Sequence, residues 1–309
     1  MQKHRIAAWR SFSLRRIRHW QLYLLLILPV AYVIVFCYVP MGGLLMAFQK
    51  YRISKGLFGS AWVGLTNFNR FFSSVYFLRT LRNTLILSLL GITLGMPFPI
   101  LLALCLNDMR NGFGKRFVQL VTYAPYFIST VVMVSMLFQW MELRTGLINH
   151  IWEFFGGNAT DFMGKARYFR FIYTASGIWQ YMGFNSIIYL AALNGIDPQL
   201  HEAAIVDGAT RLKRVWHIDL PGILPTVVIL LILNCGRILS VGFEKVYLMQ
   251  NDANLEVSQI ISTYVYEIGL KKQDISYGTA VGLFNSVVNF ALVVMVNATA
   301  RRMGESSLW

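Results

Sequence analysis

Residues 201–222, HEAAIVDGATRLKRVWHIDLPG, form a polar stretch between two strongly apolar runs. Residues 171–193 precede the stretch and residues 223–243 follow it. A membrane-spanning helix needs about 20 mainly apolar residues, so both runs are long enough to cross a bilayer. The polar stretch is rich in helix-forming residues. The sequence therefore predicts a structured loop on one side of a membrane.

Local signals predict two short helices within this loop. Asp197 can accept hydrogen bonds from free backbone donors and Pro198 is tolerated at the first helical position, so a helix is expected to start here. Gly208 can adopt a positive φ and end that helix near Asp207. A second short helix can begin at Thr210. On these signals alone, an amphipathic loop that rests on the membrane surface remains an alternative.

The composition indicates a membrane protein. The chain has 309 residues, of which 56% are hydrophobic and 14% charged, and its mean hydropathy is +0.52. Soluble domains are about one quarter charged, so most of this chain is expected to lie in lipid. The formal net charge of +14 would suggest nucleic acid as a partner of a soluble protein. In a membrane protein, Lys and Arg instead concentrate in loops and flanks. The lipid bilayer is therefore an expected partner and nucleic acid is not.

Six apolar windows predict an all-α integral membrane protein with six transmembrane helices. The windows are residues 20–39, 84–106, 117–141, 171–193, 223–243 and 277–300. We expect one membrane domain over residues 20–300, with the polar loop at 195–222. A basic tail precedes it at residues 1–19 and a short tail follows at 301–309. An even number of spans places both termini on one side, although the loops of the two sides hold nearly equal numbers of Lys and Arg.

The chain shows no arrangement typical of catalysis or of a metal site. Cys37, Cys105 and Cys235 fall in apolar runs without regular spacing, and the His residues are scattered. No G-x-x-x-x-G-K-[ST] phosphate loop occurs in the sequence. We therefore predict no catalytic residue, no metal ligand and no cofactor bound by this chain.

The polar loop resembles a known signature, the EAA loop of ABC importer permeases. The chain is similar to type I ABC importer permease subunits of the carbohydrate, or maltose-permease-like, branch. The matching positions are Glu202-Ala203-Ala204, Gly208, Ile218, Leu220 and Pro221. The resemblance implies that the loop is cytosolic and docks on a separate ATPase. The residues that it assigns to this coupling are Glu202, Ala203, Ala204, Asp207, Gly208, Leu220 and Pro221.

The same resemblance implies partners and a location. A permease of this family pairs with a second, homologous permease and with two ATPase subunits, which hold the ATP and Mg. An extracellular or periplasmic solute-binding protein delivers the sugar. The expected location is the bacterial cytoplasmic (inner) membrane, with a multi-pass topology and both termini cytosolic.

A second stretch resembles a subgroup of these permeases. Residues 242–270, GFEKVYLMQNDANLEVSQIISTYVYEIGL, and the following YGTAVGLFNSVV look like permeases for complex oligosaccharides, including uronic-acid polymers such as alginate. An ABC permease for a different solute stays open as an alternative. A secondary transporter also stays open, although such proteins usually show repeated halves, which are not evident here.

Several polar and aromatic residues within the spans are candidates to line a sugar pathway. Sugar hydroxyls need hydrogen-bond partners, and flat sugar faces favour aromatic rings. The candidates are Trp179, Gln180, Asn185, Asn234, Arg237, Asn285 and Asn289. For the asparagines, hydrogen bonding between helices is the alternative. Arg237 could attract a carboxylate-bearing sugar, or it could pair with Glu244 on about the same helix face.

Overall fold

The computed structural model describes residues 20–236, 238–240 and 242–302 and consists mainly of long helices. The predicted basic tail at 1–19 and Arg237 lie outside the described residues, as does most of the predicted tail at 301–309. The longer helices, of seven residues or more, are Trp20–Val33, Thr66–Phe72, Val75–Thr93, Pro97–Asp108, Phe113–Tyr123, Thr130–Trp140, Leu147–Phe154, Ala166–Leu193, Pro198–Val206, Leu220–Cys235, Phe243–Met249 and Ile275–Arg302.

Short elements connect or extend these helices. The short α-helices are Val39–Met41, Gly56–Gly59, Arg211–Arg214, Leu255–Ser258 and Ile261–Val265. Widened π turns occupy Ile34–Tyr38, Val215–Asp219 and Tyr266–Lys271, and 3-10 turns occupy Gly42–Phe48, Ile53–Lys55 and Ala124–Phe127. Two strands, Gln49–Lys50 and Ala61–Trp62, pair antiparallel, with Gln49 opposite Trp62 and Lys50 opposite Ala61.

Within the described residues, four continuous helical segments are long and apolar enough to cross a membrane. We call Trp20–Phe48 the first span, Val75–Asp108 the second span, Arg211–Cys235 the fifth span and Ile275–Arg302 the last span. The segments Phe113–Phe127 and Thr130–Trp140 form a bent pair, which meets the same criteria only when both halves are counted together.

The helix Ala166–Leu193, here the central helix, is 28 residues long. It covers the predicted fourth window, 171–193, but it is not among the apolar spans, since polar and aromatic residues interrupt its sequence. The structure thus gives four apolar crossings, or five with the bent pair, in the part of the chain that it describes. The count of six remains a prediction.

Three predicted windows differ from the structure. The third window, 117–141, is not one straight helix, because its two halves meet at 102°. The fifth window extends to residue 243, whereas the helix ends at Cys235 and a new helix begins at Phe243. The second window begins at residue 84, whereas the helix begins at Val75, where Ser74 accepts a hydrogen bond from the Tyr76 amide.

Proline accounts for two of the three π turns of the described residues. Proline has no N–H, and its ring clashes with the carbonyl four residues earlier, so a continuous helix must adjust around it. In the first span the amide of Val39 bonds the carbonyl of Ile34, five residues back, just before Pro40. In the fifth span the amide of Leu220 bonds the carbonyl of Val215, just before Pro221. Both spans continue through their prolines because a π turn absorbs the mismatch.

The core lies between the central helix and its neighbours. One buried cluster joins the second span, the central helix and the fifth span through Ala103, Tyr189, Leu193 and Ile223. Gly183 of the central helix lets the bent pair approach closely, because a Cβ at this position would lie 1.9 Å from the Thr122 carbonyl oxygen. Small residues at such contacts are typical of packed membrane helices.

Candidate functional site

The polar loop projects from one end of the helix bundle, which we call the loop end. The helix Pro198–Val206, here the loop helix, starts where Asp197 accepts a hydrogen bond of 3.0 Å from the Gln199 amide. Its end is a Schellman motif, since the amide of Ala209 bonds the carbonyl of Ala204 and the amide of Gly208 bonds that of Ile205. Gly208 has a φ of +71°. The predicted start, end and glycine turn of this helix are confirmed.

The second short helix is also confirmed, but it is not a separate element. Thr210 accepts a hydrogen bond from the Lys213 amide and starts the helix Arg211–Arg214. The helix then continues through the π turn into the fifth span, which is one helical segment, Arg211–Cys235. Only the glycine turn at Gly208 therefore separates the loop helix from a membrane-crossing helix, so a displacement of the loop helix is transmitted directly to the fifth span.

Two ion pairs and one close packing contact fix the loop against the bundle. His201 Nε2 lies 3.3 Å from the buried carboxylate oxygen Oδ1 of Asp219. Arg211 Nη1 lies 3.1 Å from Asp108 Oδ2 at the end of the second span. Ile196 packs so closely on the fifth span that a Cβ at Gly222 would lie 2.5 Å from its Cδ1.

The opposite face of the loop helix is free within the described residues. Glu202 and Ala203 are exposed, and Ala204 is half-buried. Val206 is 87% exposed and Leu200 is 53% exposed. Two alanines between exposed apolar side chains give a low surface that a groove on another protein could approach closely. Of the other predicted coupling residues, Asp207, Gly208 and Pro221 are exposed and Leu220 is half-buried.

A cavity of about 400 Å³ lies between the second span, the central helix and the fifth span. Its wall is mostly apolar, with Tyr173 and Tyr181 among its aromatic residues. Two of the predicted pathway residues, Asn185 and Asn234, come together at this cavity although they are on different helices. A pocket with apolar and aromatic walls and a few polar groups suits a small organic ligand such as a sugar.

Two other predicted pathway residues pack towards the bent pair and do not line the cavity. The Trp179 ring meets Trp140 edge to face, with 6.1 Å between ring centroids. Gln180 is 1% exposed, and its Nε2 donates a hydrogen bond of 2.9 Å to the carbonyl of Ile128, at the corner of the bent pair.

The two predicted residues of the last span lie near the break that follows the fifth span. Asn289 Oδ1 accepts a hydrogen bond of 3.0 Å from the Leu239 amide, and Asn289 Nδ2 donates one of 2.8 Å to Ser240 Oγ. The side-chain oxygen and nitrogen of Asn289 therefore satisfy a backbone amide and a serine hydroxyl in the segment where the helix is unwound. Asn285 is half-buried, and neither residue lines the cavity.

Lys245 is a cavity residue that the sequence analysis did not select. It lies on the helix Phe243–Met249 and is 7% exposed. Its Nζ donates a hydrogen bond of 2.8 Å to the carbonyl of Tyr173 and lies 4.7 Å from the centre of the Tyr173 ring. A signal was present in the sequence, since Lys245 shares a helix face with the apolar Val246 and Met249.

The fold and the site define a membrane transport protein, because long apolar helices surround a cavity and hold a short, exposed helix at one end. The family model described as "Binding-protein-dependent transport system inner membrane component" matches residues 95–305, and the chain belongs to this family. Its location in the membrane, with several crossings, follows.

Similar proteins agree with this family. The chain is 45% identical to the polygalacturonan/rhamnogalacturonan transport system permease protein YteP of Bacillus subtilis over 300 residues, 97% of this chain and 94% of the relative. It is 42% identical to Protein LplB of Bacillus subtilis over 288 residues, 93% of this chain and 91% of the relative.

A solved structure has the same fold. It is the crystal structure of a bacterial alginate ABC transporter in complex with an alginate pentasaccharide-bound periplasmic protein. One of its chains is 37% identical to this protein with a TM-score of 0.88, and the match covers 95% of this chain and 98% of that chain. The predicted resemblance to carbohydrate ABC importer permeases and the predicted fold class are thereby confirmed.

Proposed function

We propose that this chain is the permease subunit of an ATP-driven importer of oligosaccharides, with acidic, uronate-containing chains as the leading substrate class. The observation that carries the proposal is the pairing of a polar-lined cavity with an exposed helix that is anchored to a span beside it. Both parts contact the fifth span, in which Asn234 lines the cavity and Asp219 lies beside His201 of the loop helix. The names of the relatives, which transport polygalacturonan, rhamnogalacturonan and alginate, support the substrate class.

In this proposal the loop helix lies in the cytosol and docks on an ATPase subunit. Glu202 offers an acceptor to a cation or a backbone donor of the partner, and Ala203 allows close approach. ATP and Mg are held by two ATPase subunits, not by this chain. When ATP closes the ATPase pair, the loop helix moves, and the ion pair of His201 with Asp219 carries the displacement to the fifth span.

The fifth span and the central helix form opposing parts of the cavity wall, so their relative movement would change which end of the cavity is open. This is alternating access, in which two arrangements of the same helices face opposite sides of the membrane. A second, homologous permease completes the pathway, and an extracellular or periplasmic solute-binding protein delivers the oligosaccharide. The chain itself performs no chemical step.

Site-directed crosslinking tests the docking part of the proposal. In a background without the native cysteines, Ala203→Cys in the complex with its ATPase subunits is expected to form a crosslink to the ATPase. The matched control is Phe58→Cys, because Phe58 is 99% exposed but lies far from the loop in the chain. A crosslink from position 58 alone, or from neither position in a complex that hydrolyses ATP, would refute the docking.

Uptake in proteoliposomes tests the substrate part. The complete transporter, with its solute-binding protein and ATP, is expected to accumulate a labelled oligouronate. A transporter that assembles and hydrolyses ATP but accumulates no oligosaccharide would refute the substrate class and leave the docking intact.

A further inference from the structure

The geometry points to Lys245 as the residue that binds a substrate carboxylate in the cavity and so selects acidic over neutral oligosaccharides. This inference rests on the proposed function, since it names a specificity residue for the same pathway. It depends on three features of the described residues: the burial of Lys245, the lack of an acidic partner, and its place in the cavity wall.

Burial makes the Lys245 amine chemically unusual. Lysine is almost never buried unless it is paired, because an ammonium group loses its hydration in an apolar interior. Here the side chain is 7% exposed. The Tyr173 carbonyl and the Tyr173 ring give partial compensation through one hydrogen bond and a cation–π contact. Neither partner carries a negative charge.

No carboxylate among the described residues lies within 4.0 Å of Lys245 Nζ. Other basic residues of the structure do have a carboxylate within ion-pair distance. Arg70 pairs with Asp274 at 2.6 Å, and Lys272 pairs with Glu267 at 3.2 Å. Lys245 differs from these two residues because its Nζ is held at a cavity and not at an opposing acid. A carboxylate that enters the cavity would supply the missing charge.

Two further basic residues, Arg82 and Arg170, lie outside the cavity lining, towards the end of the bundle opposite the loop. Arg170 is three residues before Tyr173 on the central helix, a rise of about 4.5 Å at 1.5 Å per residue. Its Nη2 donates a hydrogen bond of 3.3 Å to Asn83 Oδ1, and it lies close enough to Arg82 for the two charges to repel. Neither Arg82 nor Arg170 lies within 4.0 Å of a carboxylate of the described residues.

The position of Lys245 follows from a network that fixes the segment after the fifth span. Asn83 Nδ2 donates hydrogen bonds to the carbonyls of Glu256 and Gln259, and the Ile261 amide donates to Thr84 Oγ1. The buried contacts of Asn254 with the carbonyls of Met249 and Met163 hold the end of the Lys245 helix. The amine is therefore held at the cavity by rigid surroundings.

A single lysine suits a residue that must release its ligand. An arginine fork binds a carboxylate through two parallel hydrogen bonds, whereas a lysine acts as a compact charge on a flexible stem. Conduction through a pathway requires binding that is strong enough for the ligand to enter and weak enough for it to leave. One charge-assisted contact in the cavity meets both requirements.

The test compares two ligands of equal length, an oligouronate and its carboxyl-reduced, neutral form. Binding of each ligand is measured with the purified complex of permease and ATPase subunits. The solute-binding protein is left out, so that its own selectivity does not affect the measured affinities. We expect Lys245→Gln to weaken oligouronate binding by about tenfold to one hundredfold, the range for loss of one charge-assisted hydrogen bond. Binding of the neutral form is expected to change less than about twofold.

Two variants control this result. Lys245→Arg keeps the charge and is expected to retain the preference for the oligouronate. Lys272→Gln removes the charge of a lysine that already has Glu267 as its partner, and it is expected to leave both affinities unchanged. If Lys245→Gln weakens both ligands equally, or weakens neither, the inference is overturned.

Other outcomes separate this inference from the proposed function. If the wild-type transporter binds and imports only the neutral form, the transporter function stands and the role of Lys245 is overturned. If it binds and imports neither ligand, the proposed substrate class itself fails. Should Lys245→Gln not assemble, Lys245→Met, which keeps the apolar stem and removes the charge, provides the same comparison. That variant is expected to lower oligouronate affinity selectively, and an unchanged preference would overturn the inference.

Discussion

His201 Nε2 and Asp219 Oδ1 lie 3.3 Å apart, which joins the loop helix by a side chain to the first turns of the fifth span. The loop helix is therefore connected to the fifth span in two ways, by the backbone through the glycine turn and by this ion pair. Asp219 is buried, whereas the second ion pair of the loop, Arg211 with Asp108, is exposed on both sides. This difference predicts unequal roles for the two pairs.

Asp219→Asn is expected to loosen the loop helix. Asp219 is buried beside His201, and removing the charge of one partner of a buried pair costs more than removing it from an exposed pair, which contributes about 0–1 kcal/mol. Hydrogen exchange of the backbone amides of residues 199–206 should therefore become faster in Asp219→Asn and change little in Asp108→Asn. Equal acceleration in both variants would mean that burial does not distinguish the pairs.

Glu202→Lys is expected to leave the protein in the membrane and to impair coupling to the ATPase. Glu202 is exposed and makes no structural ion pair among the described residues, so reversing its charge disturbs the docking surface rather than the fold. Substrate-stimulated ATP hydrolysis and uptake should both fall. Glu153→Lys, at an exposed position in the helix Leu147–Phe154, is the control. Normal coupling in Glu202→Lys would remove this residue from the docking surface.

Gly208→Ala is expected to destabilise the glycine turn by about 1–2 kcal/mol, because a residue with a Cβ is strained at a positive φ. Steric contact is not the cause, since a Cβ at Gly208 would meet no atom within 4 Å. Gly282 of the last span is equally open but has no positive φ. Thermal unfolding of the purified complex should therefore begin earlier in Gly208→Ala and not in Gly282→Ala.

Gly183→Ala is expected to reduce the amount of folded protein in the membrane. Its Cβ would lie 1.9 Å from the Thr122 carbonyl oxygen, so the bent pair would have to move away from the central helix. Gly91 also lies in a helix but faces the cavity, with no atom within 4 Å of a Cβ. Gly91→Leu should fold and should lower oligosaccharide uptake by narrowing the cavity. Immunoblotting of membranes and uptake assays distinguish these effects.

Asn185→Ala is expected to affect transport, whereas Asn289→Ala is expected to affect stability. Asn185 is exposed at the cavity, so its loss should lower uptake without changing the protein level. Loss of Asn289 leaves the Leu239 amide without its acceptor, which costs about 1–3 kcal/mol for a buried group. Asn289→Ala should therefore lower the thermal stability of the complex. Unchanged stability would show that water replaces the missing acceptor.

The sequence predicted those features that depend on nearby residues. Asp197, Gly208 and Thr210 set the ends of two short helices through contacts within five residues, and all three acted as expected. The sharp turn of the bent pair also follows a local signal, since it comes just after Pro125.

Features that depend on distant residues were not predictable in this way. The corner of the bent pair is held by Gln180, more than fifty residues later in the chain. The segment that follows the fifth span is held at Leu239 and Ser240 by Asn289 of the last span. The helix face that Lys245 shares with Val246 and Met249 indicated burial, but its contact with Tyr173 of the central helix depends on tertiary packing. Of the seven candidate pathway residues, hydropathy and residue type could not separate those at the cavity from those in helix contacts.

The Gln180 amide also has a consequence for how this subunit can move. If the corner at Ile128 straightened, the Gln180 amide and the Ile128 carbonyl would lose their hydrogen bond, which costs about 1–3 kcal/mol for a buried group. The corner of the bent pair is therefore rigid and does not act as a hinge. A conformational change of this subunit must therefore move the corner of the bent pair and the central helix together as one rigid body, with bending confined to the segments on either side.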